Sequence, residues 1–194
     1  MAVRHILHAC LGSLIAALGL IIDRQTLLPL LGVLTALACA IELLRFAMPE
    51  MNSWLTDRFA PLVKARERQT VSGATYLVLS ALLVFAVFDA RIAALSIAYT
   101  AWGDPLASMV GGRAGHWRWK DKSMEGAFAF LVGGAVAGLL LAPLGANISL
   151  AARLLGAAAA AAIELLPVRL DDNITAPAGS AAIMALVVAL ESGA

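Results

Sequence analysis

The chain has 194 residues, of which 61% are hydrophobic and only 14% are charged, and its mean hydropathy is +0.88. A soluble domain of this size could not bury so much apolar surface, so the composition indicates an integral membrane protein. A net charge of +1 gives no sign of nucleic-acid binding, and two cysteines inside apolar runs indicate neither a disulfide framework nor a zinc site.

Apolar runs that approach the roughly twenty residues needed to cross a bilayer recur along the chain. The first run is predicted to be a retained helix, because no convincing small-x-small cleavage site accompanies it and further runs follow. We therefore predict an all-α, polytopic membrane bundle that forms a single transmembrane domain over residues 1–194. The seven predicted spans are 5–22, 26–47, 72–89, 91–110, 124–142, 148–167 and 173–191.

The longest break between predicted spans, residues 48–71, mixes charged residues with regularly placed apolar ones. This spacing is typical of an amphipathic helix that lies on the membrane surface. The apolar positions are Met51, Trp54, Leu55, Phe59, Leu62 and Val63.

The basic residues are divided unequally between the two sides that seven spans define. Eleven of the fourteen fall on the side of the N-terminus, and only Arg24, Arg91 and Arg153 fall on the other. The positive-inside rule therefore predicts a cytoplasmic N-terminus in the cytoplasmic membrane. The polar clusters described next all open on that cytoplasmic side. The eleven are Arg4, Arg45, Arg58, Lys64, Arg66, Arg68, Arg113, Arg118, Lys120, Lys122 and Arg169.

The fourth predicted span carries a polar stripe, because Ser96, Thr100, Asp104 and Ser108 recur every four residues. A carboxylate within a span is costly and normally faces the bundle interior with a partner. Asp104 is therefore a candidate functional residue. The alternative is a helix-end charge in the headgroup layer.

The next break, "GGRAGHWRWKDKSMEG", combines glycines with basic and aromatic residues. Gly111, Gly112 and Gly115 permit close approach of a ligand to the backbone, and Ser123 is placed to cap the fifth span beside Lys122. Exposed amides, a helix dipole and a lysine together predict a phosphate-binding site. The alternative is a positive-inside loop with tryptophans anchored at the interface.

The segment "ELLPVRLDDNITAP" places Asp171 and Asp172 just before the last predicted span. Such residues are ordinary helix caps. They are also the hard oxygen ligands that a magnesium ion carrying substrate phosphates would use. Taken alone, the segment is better explained by helix capping than by metal binding. Acids, lysine and glycines on one membrane face together favour phosphoryl transfer with magnesium.

Two lesser polar features lie on the same side. Glu42 and Arg45, three residues apart at the end of the second span, are spaced to pair with each other. Glu67 and Gly73 stand at the entry to the third span. His5 and His8 are interpreted as helix-end residues rather than metal ligands.

Several of these motifs, taken in order, resemble the CTP-dependent lipid kinases, namely dolichol kinase, phytol and farnesol kinase and the yeast-type diacylglycerol kinase. The motifs are "IELLRF", "ERQTVSGATYL", "GDPLASMVGGRAG", "KSMEG" and "LDDNITAP", so the resemblance covers roughly residues 35–180. It implies a catalytic domain that transfers the γ-phosphate of CTP to a membrane lipid alcohol, with a divalent metal such as Mg²⁺.

The resemblance suggests roles for individual residues. Asp171 and Asp172 would hold magnesium, with Asn173 fixing their turn, and Lys122 with the Ser123 amide would hold the transferred phosphate. Asp104 would be a second metal ligand or the base for the lipid hydroxyl, so the catalytic set is Asp104, Lys122 and Asp172. Phosphate or nucleotide contacts are assigned to Gly103, Gly111, Gly112, Gly115, Lys122, Ser123, Glu125, Gly126 and Asn173. Supporting roles are assigned to Glu42, Arg45, Glu67, Gly73 and Glu164.

Two other functions compete with the kinase. The motifs are more distantly similar to phosphatidate cytidylyltransferase, a CDP-lipid synthase that releases pyrophosphate rather than CDP, but "RLDDNITAP" stands where that enzyme has an Asp-Arg-x-x-Asp signature. A small transporter would carry polar groups through the bilayer, and here the far halves of the spans are nearly free of charge. The acceptor stays open among polyprenol, phytol- or farnesol-type alcohols and diacylglycerol. The oligomeric state also stays open, a homodimer included.

Overall fold

Helices occupy all seven predicted apolar runs in the computed structural model of the chain. The structure describes residues 2–63, 65–166 and 170–193. Lys64 and Arg169, which belong to the basic-rich side, and the end of the sixth predicted span at 167 lie outside the described residues. The α-helices are α1 Ala2–Ile21, α2 Arg24–Ala47, α3 Pro49–Arg58, α4 Gly73–Val87, α5 Ala90–Ala114, α6 Met124–Leu141, α7 Leu150–Leu165 and α8 Asp172–Ser192.

Polar residues in the breaks cap the N-termini of most of these helices. The Asp23 side chain accepts from the Thr26 amide at the start of α2, and Ser149 accepts from the Ala152 amide at the start of α7. Ser123 accepts from the Gly126 amide at 3.0 Å, which confirms its predicted place as the cap of α6. The helix boundaries thus follow from local hydrogen bonding to the first free amides.

Four of the described helices are long and apolar enough to cross a membrane: Val3–Ile21, Arg24–Ala47, Met124–Leu144 and Asp172–Ser192. The chain is therefore a helical membrane protein, but length and composition do not single out all seven predicted spans. α4 and α7 are only 15 and 16 residues long, and α5 carries Asp104 together with arginines near both ends.

α5 is the central helix of the bundle, and α1, α6 and α8 pack around it. Every residue from Ile92 to Ala101 is buried, so this stretch contacts protein on all sides. Small residues allow the close approach that drives helix association in membranes. A Cβ atom at Gly12 would lie 2.4 Å from the Ala101 side chain, and one at Gly103 would lie 2.5 Å from the Phe130 ring.

The predicted glycine loop is shorter in the structure than the sequence suggested. α5 continues to Ala114, so Gly111 and Gly112 lie in its last turns rather than in a loop. Glycine is a poor helix former, but packing of this helix against α6 outweighs that propensity. The remainder folds as a small antiparallel hairpin of strands β1 Arg118–Trp119 and β2 Lys122–Ser123, which the all-α prediction missed.

The segment between α2 and α4 is predicted as one surface helix and is broken in the structure. α3 is followed by turns and by a 3-10 helix at Ala65–Arg68. Trp54 and Phe59 are exposed, while Thr56 is buried. Two of the predicted apolar positions are therefore exposed, and the segment contacts the end of α2 through Asn52.

Arg45 holds this segment against the end of α2. Its guanidinium pairs with Glu42 and donates to three oxygens further along the chain: Asn52 Oδ1 at 3.0 Å, the Glu67 carbonyl at 2.6 Å and the Thr70 carbonyl at 2.7 Å. Arg45 and Glu42 are 6% and 7% exposed. Because a buried charge needs such partners, this network holds Asn52, Glu67 and Thr70 against the end of α2.

Glu42 and Glu67 both accept hydrogen bonds from residues at the start of α4. Glu42 accepts hydrogen bonds from the Ser72 amide at 2.9 Å and from the Thr75 hydroxyl at 3.1 Å. Glu67 accepts one from the Gly73 amide at 3.2 Å. Carboxylates are favourable at a helix N-terminus. Four of the five residues assigned supporting roles, all except Glu164, therefore meet here in a structural network.

Replacing Arg45 by alanine is expected to destabilise the fold by about 3 kcal/mol or more, because it leaves the buried Glu42 carboxylate without its cation. Thermal unfolding of the detergent-solubilised protein would measure the change. Arg58→Ala, at an exposed position in α3, is the matched control and should unfold like the wild type. Equal unfolding of both variants would contradict a structural role for the network.

Candidate functional site

A polar cavity of about 420 Å³ opens where the end of α5, the hairpin, the start of α6, the end of α7 and the start of α8 come together. Eight of the residues assigned site roles from the sequence border it, although they come from segments up to about seventy residues apart. The cavity is lined by Asp104, Ala107, Ser108, Gly111, Gly112, Arg118, Asp121, Lys122, Ser123, Gly126, Ala127, Glu164 and Asp172.

Lys122, in strand β2, connects the hairpin to two helices. Its Nζ lies 2.7 Å from Asp172 Oδ2 and 3.1 Å from Glu164 Oε2, and it also donates to the Glu164 carbonyl. Only 26% of its side chain is exposed. The predicted lysine and aspartate are therefore neighbours, and Glu164, assigned only a supporting role, is a direct partner of the lysine.

These partners favour the protonated form of the Lys122 side chain. Burial lowers the pKa of the Lys122 ammonium, but the hydrogen bond to Asp172 and the charge of Glu164 outweigh burial, so the pKa lies above its ordinary value. Lys122 therefore stays protonated at neutral pH. It can donate to an anion but cannot act as a base.

The lining of the cavity contains more acidic than basic side chains, with four carboxyl groups and two basic groups. The carboxylates are Asp104, Asp121, Glu164 and Asp172, and the basic groups are Arg118 and Lys122. A bare polyphosphate would be repelled here, whereas a polyphosphate carrying a divalent cation would be accepted. The donor set of hard oxygens thus fits magnesium: Asp172 would hold it, and Asp104 would be either a second ligand or a base.

The described part of the chain contains no group of three His, Cys, Asp or Glu side chains that could hold a metal ion by themselves. A magnesium site of the usual kind needs fewer, because the ion keeps several waters and is bound through one or two carboxylates together with the substrate phosphates.

Asp171 and Asp172 have different partners and different roles. Asp171 caps α8, and its Oδ1 accepts from the Asn173 amide at 3.1 Å and from the Asn173 Nδ2 at 2.8 Å. Asp172 points into the cavity and binds Lys122. Asp171 precedes α8 in an extended conformation, so its side chain turns back to the first amides of the helix. The sequence had suggested that both carboxylates hold one magnesium ion. The structure does not bring them to one site.

The glycines assigned to the nucleotide differ in their surroundings. A Cβ atom at Gly126 would lie 3.0 Å from the Ala107 carbonyl, and one at Gly111 would lie 2.9 Å from Ser123 Oγ. These two glycines let α5 and α6 approach each other beneath the cavity. Gly112 has open space on the cavity side, whereas Gly103 packs on Phe130 and Gly115 ends α5 against Ser123.

The N-terminus of α6 is less available to a phosphate than predicted. Ser123 Oγ accepts from the Gly126 amide, and the Trp117 carbonyl accepts from the Met124 amide at 2.9 Å. The Glu125 carboxylate accepts from the amides of His116 and Trp117 at 3.0 and 3.1 Å. Glu125 lies outside the cavity and holds the hairpin to α6, and therefore the structure does not bring it to the predicted nucleotide contact.

A second cavity of about 420 Å³ adjoins the first, and Asp104 borders both. Most of its remaining lining is apolar, and Asn173, assigned to the nucleotide, lies here instead. The lining is Arg4, His5, Leu7, His8, Leu11, Leu62, Val63, Glu67, Ser72, Gly73, Ala74, Leu77, Asp104 and Asn173.

Sequence reasoning missed most of this second cavity. Apolar residues on a membrane helix look alike whether they face lipid, the core or a ligand. The one usable signal was the spacing of His8 from Arg4 and of Leu11 from Leu7, which places each pair on one face of α1. In the first cavity, Asp121 was missed, although it directly precedes Lys122.

The fold and the paired charges define the class of the protein as a helical membrane protein with a polar cavity at one end of the bundle. Its sequence matches no protein-family model, and no solved structure matches it. The chain is similar to an uncharacterized protein of Rickettsia prowazekii (strain Madrid E), RP860, with 24% identity over 164 residues. The alignment covers 81% of this chain and 80% of that protein.

Replacing Lys122 by methionine is expected to destabilise the protein by about 1–3 kcal/mol, because Glu164 and Asp172 lose their shared cation. In a chain of this size the unfolding temperature would fall by roughly 3–10 °C. Added Mg²⁺ should restore part of the loss, since a divalent cation can replace the ammonium between the carboxylates.

Differential scanning fluorimetry with and without Mg²⁺ would measure both effects. The control is Lys120→Met, an exposed position in the same hairpin, which should unfold like the wild type at every Mg²⁺ concentration. Failure of Mg²⁺ to stabilise the Lys122→Met variant selectively would contradict the assignment of the cavity to a divalent cation.

Proposed function

We propose that the chain is a CTP-dependent kinase that transfers the γ-phosphate of CTP to the hydroxyl of a membrane lipid alcohol. One observation carries the proposal: Asp104 borders both a polar cavity that contains Lys122 and an adjacent, mostly apolar cavity. Phosphoryl transfer depends on holding a phosphate donor and an acceptor side by side in the correct geometry. Two cavities that share one carboxylate are suited to that task.

The polar cavity is assigned to the nucleotide phosphates. Asp172 would hold a divalent ion, which would neutralise phosphate charge, and Asp104 is assigned to the lipid hydroxyl. Lys122 would release one of its two carboxylate partners and donate to the phosphate that is transferred. The choice of CTP as donor rests on the resemblance of the motifs at residues 103–115 and 122–126 to the lipid kinases.

The reaction itself requires one bond to form and one to break. The lipid hydroxyl oxygen attacks the γ-phosphorus, the bond between that phosphorus and the β,γ-bridging oxygen breaks, and CDP leaves with the bonding electrons. The hydroxyl proton passes to the Asp104 carboxylate, which borders the acceptor cavity and acts as the general base. Lys122 stabilises the negative charge on the transferred group throughout.

The proposal includes a complete membrane arrangement with seven spans. α4, α5 and α7 would cross together with the four candidate spans, and the two short helices would cover roughly 22–24 Å, with their flanking loops completing the crossing. The basic-rich side, with both cavities, would face the cytoplasm. This is the compartment that supplies a nucleotide donor.

The test of the proposal is incubation of the purified protein with γ-labelled CTP, Mg²⁺ and separate lipid alcohols. We expect the label in the lipid and CDP in solution. Release of pyrophosphate with transfer of the cytidylyl group to phosphatidate would instead identify a CDP-lipid synthase. Labelling of no alcohol from CTP or any other nucleotide would reject a kinase altogether.

The neighbouring aspartates provide a matched pair of variants. Asp172→Asn is expected to reduce kcat roughly hundredfold or more, because it removes a carboxylate that binds Lys122 and the cation. Asp171→Asn should keep kcat within about threefold, since asparagine caps a helix about as well as aspartate. Steady-state phosphorylation at saturating CTP would measure both. Equal losses in the two variants would contradict the division of tasks between them.

The membrane orientation predicts which positions are accessible from each side. In a variant without Cys10 and Cys39, a single cysteine at exposed Trp117 should react with a membrane-impermeant maleimide only in inverted vesicles. A single cysteine at exposed Leu144, between α6 and α7, should react only in intact cells. The reverse pattern would place the polar cavity outside the cell and reject a cytoplasmic donor.

A further inference from the structure

We propose that Arg118 binds the diphosphate of the nucleotide, the part of the donor that leaves in CDP, and that this diphosphate lies beside Gly112 at the end of α5. The inference rests on the proposed kinase function and adds a phosphate-binding residue to it. Arg118 belongs to the hairpin and lies outside the motifs that carry the resemblance to the lipid kinases.

The N–H groups of Lys122 are already occupied by protein oxygens. An ammonium group has three N–H donors, and Lys122 Nζ contacts three oxygens: Asp172 Oδ2, Glu164 Oε2 and the Glu164 carbonyl. Lys122 must therefore give up one of these contacts before it can donate to a ligand. A phosphate that enters the cavity needs a different cation for its first contact.

Arg118 is the other basic residue that lines the polar cavity. Its guanidinium has five N–H donors, and within the described ranges its hydrogen bonding is limited to a long contact of 3.5 Å from Nη2 to the Gly111 carbonyl. It forms no ion pair with a carboxylate of the described residues, although Asp121 lines the same cavity. Most of its donors therefore remain for an anion, in the forked arrangement that matches phosphate oxygens.

The register of the hairpin places Arg118 over the end of α5. Arg118 is paired with Ser123 across β1 and β2, so the two side chains project from the same face of the hairpin. Ser123 lines the cavity and lies against α5, since a Cβ atom at Gly111 would be 2.9 Å from Ser123 Oγ. The Arg118 guanidinium therefore lies where the last turns of α5 border the cavity.

Gly112 leaves space on the cavity side of these turns. Asp104, Ser108 and Gly112 recur every four residues on one face of α5, and all three line the cavity. A Cβ atom at Gly112 would meet no atom of the described residues within 4 Å. The missing side chain therefore leaves room for a ligand on the same face as Asp104 and beside Arg118.

The position of Arg118 assigns it to the diphosphate rather than to the transferred group. Asp104, the proposed base, lies eight residues before Gly112, which is about 12 Å along the helix axis. Because the γ-phosphorus must lie near the base and the acceptor hydroxyl, the rest of the donor extends along α5 towards Gly112. The last carbonyls of α5 carry partial negative charge and repel a phosphate unless a cation lies between them. Arg118, which donates to the Gly111 carbonyl, is in that position.

Arg118→Gln tests the assignment, because glutamine can still donate to the Gly111 carbonyl but carries no charge. Isothermal titration calorimetry of the purified protein with CDP and Mg²⁺ measures the affinity. We expect Kd for CDP to rise roughly tenfold or more, since a charge-assisted contact to phosphate is lost. The control is Arg113→Gln, at an exposed position of α5 that does not line the cavity. There Kd should stay within about twofold of the wild type, because an exposed charge away from the site contributes little.

Two further ligands identify the phosphate that Arg118 binds. Inorganic pyrophosphate with Mg²⁺ should lose affinity in Arg118→Gln by about the same factor as CDP, because it keeps the diphosphate without the nucleoside. CMP lacks the β-phosphate and should bind to the wild type and to the variant with Kd values within about twofold of each other. A loss for CMP as large as the loss for CDP would overturn the assignment to the diphosphate.

Gly112→Val tests the space beside the guanidinium. The new side chain would enter open space, so unfolding of the ligand-free protein in differential scanning fluorimetry should match the wild type. Kd for CDP should rise roughly tenfold or more, because the valine methyl groups occupy the room assigned to the diphosphate. Wild-type affinity for CDP in Gly112→Val would show that the diphosphate does not lie at this position.

The outcomes separate this inference from the kinase function on which it rests. If Arg118→Gln binds CDP and pyrophosphate as the wild type does, the diphosphate site is wrong even where a lipid alcohol is phosphorylated. Unchanged Kd values together with a lower unfolding temperature would reduce Arg118 to a residue that stabilises the end of α5. If the wild type phosphorylates no lipid alcohol but Arg118→Gln weakens binding of CDP and pyrophosphate, the proposed kinase fails and the diphosphate site stands.

Discussion

The ion pairs of Lys122 are the interaction on which the polar end of the bundle depends. A single ammonium group contacts carboxylates of α7 and α8 while belonging to the hairpin that begins α6. Charged groups with little access to water must be paired, and their partners must stay in place for the fold to persist. The same requirement brings three separate segments to one wall of the cavity. The cavity therefore results from the pairing of charges within a bundle that is otherwise apolar.

The second cavity depends on a similar constraint at a different place. Arg45 binds Glu42 and carbonyls of the segment after α3, and so holds that segment over the space between α1 and α4. Glu67 belongs to both the network and the cavity wall. Asp104 lies where the two cavities meet. Two charge networks thus surround one carboxylate that faces a polar space on one side and an apolar space on the other.

Comparison of the motifs with the structure shows which predictions a linear pattern can support. Ser123 was correctly identified as a cap, because capping depends on residues within one turn. The aspartate pair was divided and Glu125 was directed away from the cavity, because those outcomes depend on side-chain direction and on distant partners. The hairpin was missed because its strands have only two residues each. Such short strands leave no periodic pattern in a sequence.

The sequence by itself determined that the chain belongs in a membrane, where its long helices lie and which residues are chemically unusual. Each of these properties follows from local composition, from helix length or from the nearest few residues. Only the tertiary structure decided that Lys122 joins Glu164 to Asp172, that Asn173 faces the apolar cavity and that Asp104 borders both cavities. Those relations join residues that are 42 or 50 positions apart, or depend on which face of a helix packs inward. Packing and charge pairing across the bundle determine both.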